Sequence, residues 1–286
     1  CNEYSLADKW ILNKLNTLVD EVTNNFERFE LGVGLSKIYD FIWTEFCDWY
    51  IELSKIILHG ESEKQKGVTL RVLRRVLIDS LKLLHPVMPF ITEKLYVNLK
   101  DFDNEFITTS NFPVFDNNLN FNEFEDNMNY VIESIRAIRN LRSQMNIPPS
   151  KKAKLYIVPK GNFRDIYVES LIYIEKLGLS KDIEIVSKID EELVNSNKVV
   201  TVVSSSSNMY VPLLDLVDIN KELDRLSKEK DKLDKEIERL NKKLSNQGFV
   251  SKAPEKVIKE EKDKLRKYES MVEEVDKSIA NFKSKF

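Results

Sequence analysis

The sequence predicts a mainly α protein: a helical bundle, then a small α+β unit, then a C-terminal antiparallel coiled-coil hairpin. Three observations carry this. The 286 residues include only 7 glycines and 8 prolines, too few turn-formers for a strand-rich sandwich. Apolar residues recur at three- and four-residue steps through the first and last parts of the chain. Between them lie three short β-branched runs. Charged residues make up 32% of the chain, above the ~25% of an average globular protein, which suits long helices with solvated faces.

The bundle is expected over residues 1–148. Ser5 and Asp8 form a capping-box start. The first helix then follows the stripe Ile11, Leu15, Leu18, Val22, Phe26 and Phe29. A second helix repeats the rhythm through Leu35, Ile38, Ile42, Phe46, Trp49, Leu53 and Ile56. It also carries Phe41, Trp43, Tyr50 and Ile57 off that stripe, as a helix central to a bundle does. The aromatic group Phe41, Trp43, Phe46, Trp49 and Tyr50 reads as core, with room for one exposed member to stack on an unpaired base. A third helix runs through Leu70, Leu73, Leu77, Leu81 and Leu84, is interrupted by Pro86 and Pro89, and resumes from Phe90 to Leu99. The polar stretch Asp101–Asn122 reads as connection rather than core. A last helix carries Phe124, Met128, Val131, Ile135, Ile138, Leu141 and Met145, and Pro148-Pro149 ends it.

The α+β unit is expected over residues 149–215. Ala153–Val158 is a strand, and Asn162 caps a helix running to Leu177 that stops at Gly178. Asp182–Val186, Lys198–Val203 and Met209–Leu213 are further strands, the last two joined by a turn at Ser204–Asn208. Residues 216–286 form the hairpin. Leu216, Ile219, Leu223, Leu226, Lys230, Leu233, Ile237, Leu240 and Leu244 alternate steps of three and four. So do Ile258, Glu261, Leu265, Tyr268, Val272, Val275, Ile279 and Phe282. Gly248 suits a helix end and Pro254 a helix start. The arm should reach roughly 40 Å, with Leu233 and Ile237 buried in its seam.

Several classes of chemistry are not expected. Cys1 and Cys47 make neither a disulfide framework nor a zinc cluster, and a reducing compartment is the simpler reading. No apolar run approaches the ~18 residues of a membrane span, and no secretory signal pattern opens the sequence. Gly32-Val33-Gly34 lies in a helical pattern, not in a phosphate loop. His59 and His85 stand alone, His85 as a helix-end residue. No carboxylate pair sits in an apolar setting. Catalytic residues, metal ligands and a cofactor are therefore not expected within this chain.

Charge is more informative locally than in the net value of −3. From Ser134 to Lys154 there is no Asp or Glu, while Arg136, Arg139, Arg142, Lys151, Lys152 and Lys154 are present with Asn140 among them. Guanidinium forks suit phosphates and base edges, and Asn140 can donate to and accept from a base edge. A second acid-free run, Lys64–Ile78, holds Lys64, Lys66, Arg71, Arg74 and Arg75. The arm from Val217 on has 19 basic and 16 acidic residues, leaving 25 and 31 for the remainder. Its candidates for nucleic-acid contact are Arg225, Lys228, Arg239, Lys242, Lys243 and Lys252.

The stretch Ile138–Arg142 followed by Met145–Lys152 resembles the region near the end of valyl-tRNA synthetases. Phe41–Tyr50 and Leu84–Glu93 resemble that family's anticodon-binding bundle, and Leu6–Leu12 resembles the bundle's beginning. The terminal hairpin is similar to the family's tRNA-binding arm. Isoleucyl and leucyl synthetases share bundle motifs of this kind. The Arg-Asn-x-Arg and Asn-x-Pro-Pro pattern with the hairpin is specific to the valyl branch.

The resemblance implies an enzyme that uses ATP and magnesium to join valine to tRNA(Val), working in the cytoplasm, with no DNA or membrane partner. The family's His-Ile-Gly-His and Lys-Met-Ser-Lys-Ser signatures are absent. This chain, which begins at Cys1 without methionine, is therefore expected to be the tRNA-recognition portion, without the catalytic and editing domains. Two other readings stand beside it. One is a non-catalytic helical scaffold whose hairpin binds a protein partner; the other is the tail of an isoleucyl- or leucyl-type synthetase.

Overall fold

A computed structural model describes residues 3–99, 106–190, 194, 199–212, 219–246 and 255–285. Cys1, Asp101, Lys198, Leu213, Leu216, Gly248, Lys252 and Pro254 lie outside the described residues, as do the side chains of Ile219, Leu223, Arg225 and Phe282.

Helix α1 spans Leu6–Glu27 and opens on the expected capping box: the Asp8 amide donates to Ser5 Oγ, and the Ser5 amide to Asp8 Oδ2, both at 3.1 Å. Its stripe is buried as far as Val22. Phe29, the expected end of that stripe, is instead 89% exposed. The helix closes in a Schellman turn, where the Glu30 amide donates to the Asn25 carbonyl and Phe29 adopts φ 59°, which turns its side chain outward.

Helix α2, Leu31–Asp40, runs on into a π-helical segment, Phe41–Tyr50, and then α3, Ile51–Leu58. The wider i→i+5 winding explains the off-stripe aromatics of the sequence: it brings Phe41, Phe46, Trp49 and Tyr50 to the core together. Trp43 is the member left outside, 55% exposed and edge-on to Tyr39 at 6.3 Å.

Helix α4, Glu63–Leu84, starts on Ser62, whose hydroxyl accepts from Gln65. Its buried apolar residues are Val68, Val72, Val76, Leu81 and Leu83, and Leu73, Leu77 and Leu84 of the predicted stripe are half-buried against them, while Leu70 faces solvent. His85 ends α4, as expected, with Nδ1 2.7 Å from Thr92 Oγ1 in α5, Pro89–Tyr96. The connection after α5 is more than connection. Ile107, Leu119 and Phe121 are buried, and two asparagines of α1 hold its backbone. Asn16 donates to the Asp116 carbonyl at 2.9 Å and accepts from its amide at 2.8 Å, while Asn13 accepts from the Phe121 amide at 2.6 Å.

Helix α6, Asn122–Gln144, buries Met128, Val131, Ile135 and Ile138, and packs on α1 by one side and on the α+β unit by another. The latter is a four-stranded sheet in the order β2-β1-β4-β3: β1 Ala153–Pro159, β2 Ser180–Ile185, β3 Val199–Val203 and β4 Ser207–Pro212. Strands β1 and β2 are parallel, and the connection between them carries α7, Arg164–Glu169, and α8, Leu171–Leu177. The single helix expected there is broken at Ser170, and it starts after Phe163 without a side-chain cap, so Asn162 does not cap it. The β3–β4 hairpin turns through Ser204–Ser206. One hydrophobic core runs from Ala7 of α1 through Ile138 to Ile157, Tyr173 and Val211, so the sheet is packed onto the bundle.

Helices α9, Ile219–Ser245, and α10, Glu255–Lys285, pair along their length. Leu226, Leu233, Leu240 and Val275 are buried between them; Ile237 is half-buried. The two polar heptad positions are matched across the seam. Lys230 Nζ donates to both Asp276 oxygens at 2.5 and 2.7 Å, and Glu261 lies 3.2 Å from Lys243.

Candidate nucleic-acid interface

The acid-free end of α6 separates into three kinds of side chain. Arg136 and Arg139, one turn apart, lie over the same indole, that of Trp49, at 5.0 and 5.6 Å. Trp49 is held in the core by the π-helical segment, so it fixes both guanidinium groups. Arg139 is fixed further by donation from Nε to the Leu177 carbonyl at 2.7 Å, and partial burial draws its pKa down. Asn140 and Lys152 are exposed, and Lys151 is half-buried.

Arg142 has gone inside, at 6% exposure. Its guanidinium donates to the carbonyls of Leu179 at 3.4 Å, Pro148 at 3.0 Å and Lys151 at 2.5 Å. The cause is local. Helix α6 ends in a Schellman turn, with Asn146 at φ 51° and the Ile147 amide donating to the Arg142 carbonyl, which folds the Pro148–Lys151 backbone over the arginine. We expect Arg142→Met to lower the unfolding free energy by about 2–3 kcal/mol by orphaning those carbonyls, whereas Lys152→Met should stay within about 0.5 kcal/mol. Urea titration of both variants checks this.

The second basic run is largely engaged. Lys64 lies 2.8 Å from Glu3, Lys66 2.6 Å from Glu63 and Arg75 3.6 Å from Asp79, whose carboxyl burial pushes up. Arg74 donates through Nε to the Leu99 carbonyl at 2.8 Å, tying α4 to the turn that follows α5. Arg71 is exposed. These residues and those of α6 sit on two different helices, each packed on α1.

On the arm, three of the sequence-selected cations sit in pairs within one helix: Lys228 with Asp224, Arg239 with Glu236 and Lys242 with Glu238. Lys243 bridges to Glu261 on α10. Charge counting missed Lys232, Lys235, Lys259, Lys262 and Lys267, which are exposed and carry no ion pair among the described residues. Spacing alone does not separate the two sets, because Lys232, Lys235, Lys259 and Lys267 also have an acid three or four residues away; which lysine takes which carboxylate is settled only in the folded arm. Exposed pairs of this kind are weak, so the paired lysines also remain accessible to a stronger anion.

Among the described residues no group of three His, Cys, Asp or Glu is placed to hold a metal ion, and no helix is long and apolar enough to cross a membrane. What the fold presents is a helical bundle with fixed arginines and a slender arm with a closed seam and a lysine-rich exterior. Residues 8–157 match the anticodon-binding domain of tRNA ligases, and the chain belongs to that family. Residues 218–283 match the valyl tRNA synthetase tRNA-binding arm, which places it in the valyl branch.

Over 283 residues the chain is 52% identical to the valine–tRNA ligase of Clostridium tetani, covering 99% of this chain and 32% of that protein. It is 50% identical over 275 residues to that of Clostridium perfringens, covering 96% and 31%, and 48% identical over 281 residues to that of Clostridium acetobutylicum, covering 98% and 31%. The chain thus spans about a third of the length of these relatives and matches their C-terminal part.

Proposed function

We propose that this chain positions tRNA(Val) for the attachment of valine, with ATP and magnesium handled by the part of the relatives that it does not span. The bundle, residues 1–148, works on the anticodon loop, whose unpaired bases can be splayed onto a protein surface. Residues 149–215 act as the junction, and residues 216–286 brace the distant body of the tRNA through its phosphates. This work belongs in the cytoplasm, where tRNA is charged.

The observation that carries the reading is the arm. Among the described residues its apolar seam is closed between α9 and α10, while exposed lysines without an ion pair stand on its exterior. A scaffold hairpin would need an open apolar stripe for its partner. The match of the arm to the valyl family favours valine over isoleucyl or leucyl tRNA.

The test is a titration of the chain with valine and non-valine tRNA at several salt concentrations. Replacing Lys232, Lys235, Lys259, Lys262 and Lys267 together by Gln should weaken both tRNAs by a similar factor. It should flatten the slope of log affinity against log salt by about 0.7–0.9 for each phosphate no longer neutralised, and leave the preference for valine tRNA in place. An unchanged slope would remove the arm from RNA binding.

A further inference from the structure

The arginine pair on Trp49 has a feature that general phosphate binding does not require. Elsewhere on the bundle surface many cations are neutralised: Lys14, Lys37, Lys64, Lys66 and Arg75 each lie within 4.0 Å of a carboxylate. Arg136 makes no hydrogen bond and no ion pair among the described residues, yet it is not loose. It lies over an indole that is itself 5% exposed, beside a second guanidinium locked to a backbone carbonyl. Two like charges held on one ring, with their donors largely unused, leave one surface of Arg136 open to solvent.

That open surface suits a flat, electron-rich and neutral partner. Glu45 is near enough for its charge to act on Arg136 and disfavours a phosphate there, while Glu52, near Arg139, is held by Lys55 at 2.5 Å. A base carries no such charge and stacks on a guanidinium plane. Asn140, four residues after Arg136 and so on the same face of α6, is exposed and makes no hydrogen bond among the described residues. Its amide offers one donor group and one acceptor to the edge of whatever stacks there.

We propose that Arg136, backed by Trp49, is a stacking platform for one unpaired RNA base, with Asn140 reading that base's edge. This rests on the tRNA-binding reading above and adds to it the kind of contact and the residue that makes it.

The test uses the whole chain and a valine tRNA transcript carrying 2-aminopurine at single anticodon-loop positions. Arg136→Lys keeps the charge and loses the plane; Arg136→Ala loses both. Both should weaken binding by about tenfold, in the range of one base stack removed. Arg136→Lys should leave the salt slope unchanged, and the 2-aminopurine quenching that the unaltered chain produces at one loop position should be relieved in both variants. Because Arg136 is exposed and its contact with Trp49 is a single surface cation–π pair, both should unfold in one urea transition close to the unaltered chain's midpoint.

If Arg136→Lys binds like the unaltered chain while Arg136→Ala is weaker with a flatter slope, the contact is to a phosphate and the platform is wrong. Full affinity in both variants would equally overturn it. Failure of the unaltered chain to bind tRNA at any salt would instead sink the tRNA-binding reading, and the platform with it.

Discussion

Replacing Leu233 with Asp is expected to unfold the arm and leave the rest of the chain standing. Leu233 is buried between α9 and α10 with Leu226, Leu240 and Val275 along the same seam. A carboxylate there has no cation arranged to receive it, and it also removes a leucine from a seam only two helices thick. Together these cost about 4 kcal/mol. The helices cannot absorb such a loss, because a single helix of this composition is marginal in water and depends on its partner. The 27 residues of α9 and the 31 of α10 should therefore lose helicity together, visible as a large drop in the far-ultraviolet circular dichroism signal. The bundle, whose core does not include the arm's cluster, should keep its own unfolding transition. Lys235→Asp, a charge reversal on the exposed side of α9, is the control and should keep the arm helical. A full helical signal from Leu233→Asp would mean that the seam is not closed as described.

Asp8→Ala should destabilise the bundle by about 3–5 kcal/mol. Asp8 is buried, and its carboxylate accepts from Tyr50 Oη at 2.5 Å, from Thr69 Oγ1 at 3.1 Å and from the Ser5 amide at 3.1 Å. One side chain thus completes the cap of α1 and pins the π-helical segment and α4 to it. Alanine leaves two buried hydroxyls and a backbone amide without an acceptor, each costing about 1–3 kcal/mol, partly relieved by rearrangement. Urea unfolding followed by tryptophan fluorescence measures the loss, and a change below about 1 kcal/mol would show that these three elements are held by apolar packing alone.

The same site sets a limit on the alkaline side. Burial, and then the charge of Asp8, hold the Tyr50 phenol well above its ordinary range, and burial pushes Tyr173 up to about 12. A phenol whose pKa is raised by folding adds stability that is complete below its unfolded value, near 10, and is lost as pH rises past it, because the unfolded chain ionises first. The bundle should therefore weaken from about pH 10 upward, and Tyr50→Phe should make that decline shallower.

Much of this protein is legible in the residue order alone. The capping box at Ser5 and Asp8, the helix end at His85, the sheet strands, the serine turn and the two heptad stripes all depend on contacts a few residues apart or on strict periodicity, and such features are written locally. The resemblance of Ile138–Lys152 and of the hairpin to valyl-tRNA synthetases also lay in the residue order itself, and the matches over residues 8–157 and 218–283 agree with it.

Other features depended on which distant group reached a side chain first. Arg136, Arg139 and Arg142 look alike in the sequence, three steps apart on one helix. Trp49 took the first two by cation–π attraction, while the chain reversal at Asn146 brought carbonyls over the third and drew it inside. Asp8 reads as a cap, and only the packing of α1 against the π-helical segment and α4 makes it the acceptor for Tyr50 and Thr69. Phe29 belongs to an apolar stripe by spacing and lies in solvent because its own backbone takes a left-handed turn. Periodicity specifies which face of a helix is apolar. It does not specify where a helix changes its winding, or which of several equal charges meets a partner, because those outcomes are settled by the desolvation of each group against its neighbours in three dimensions.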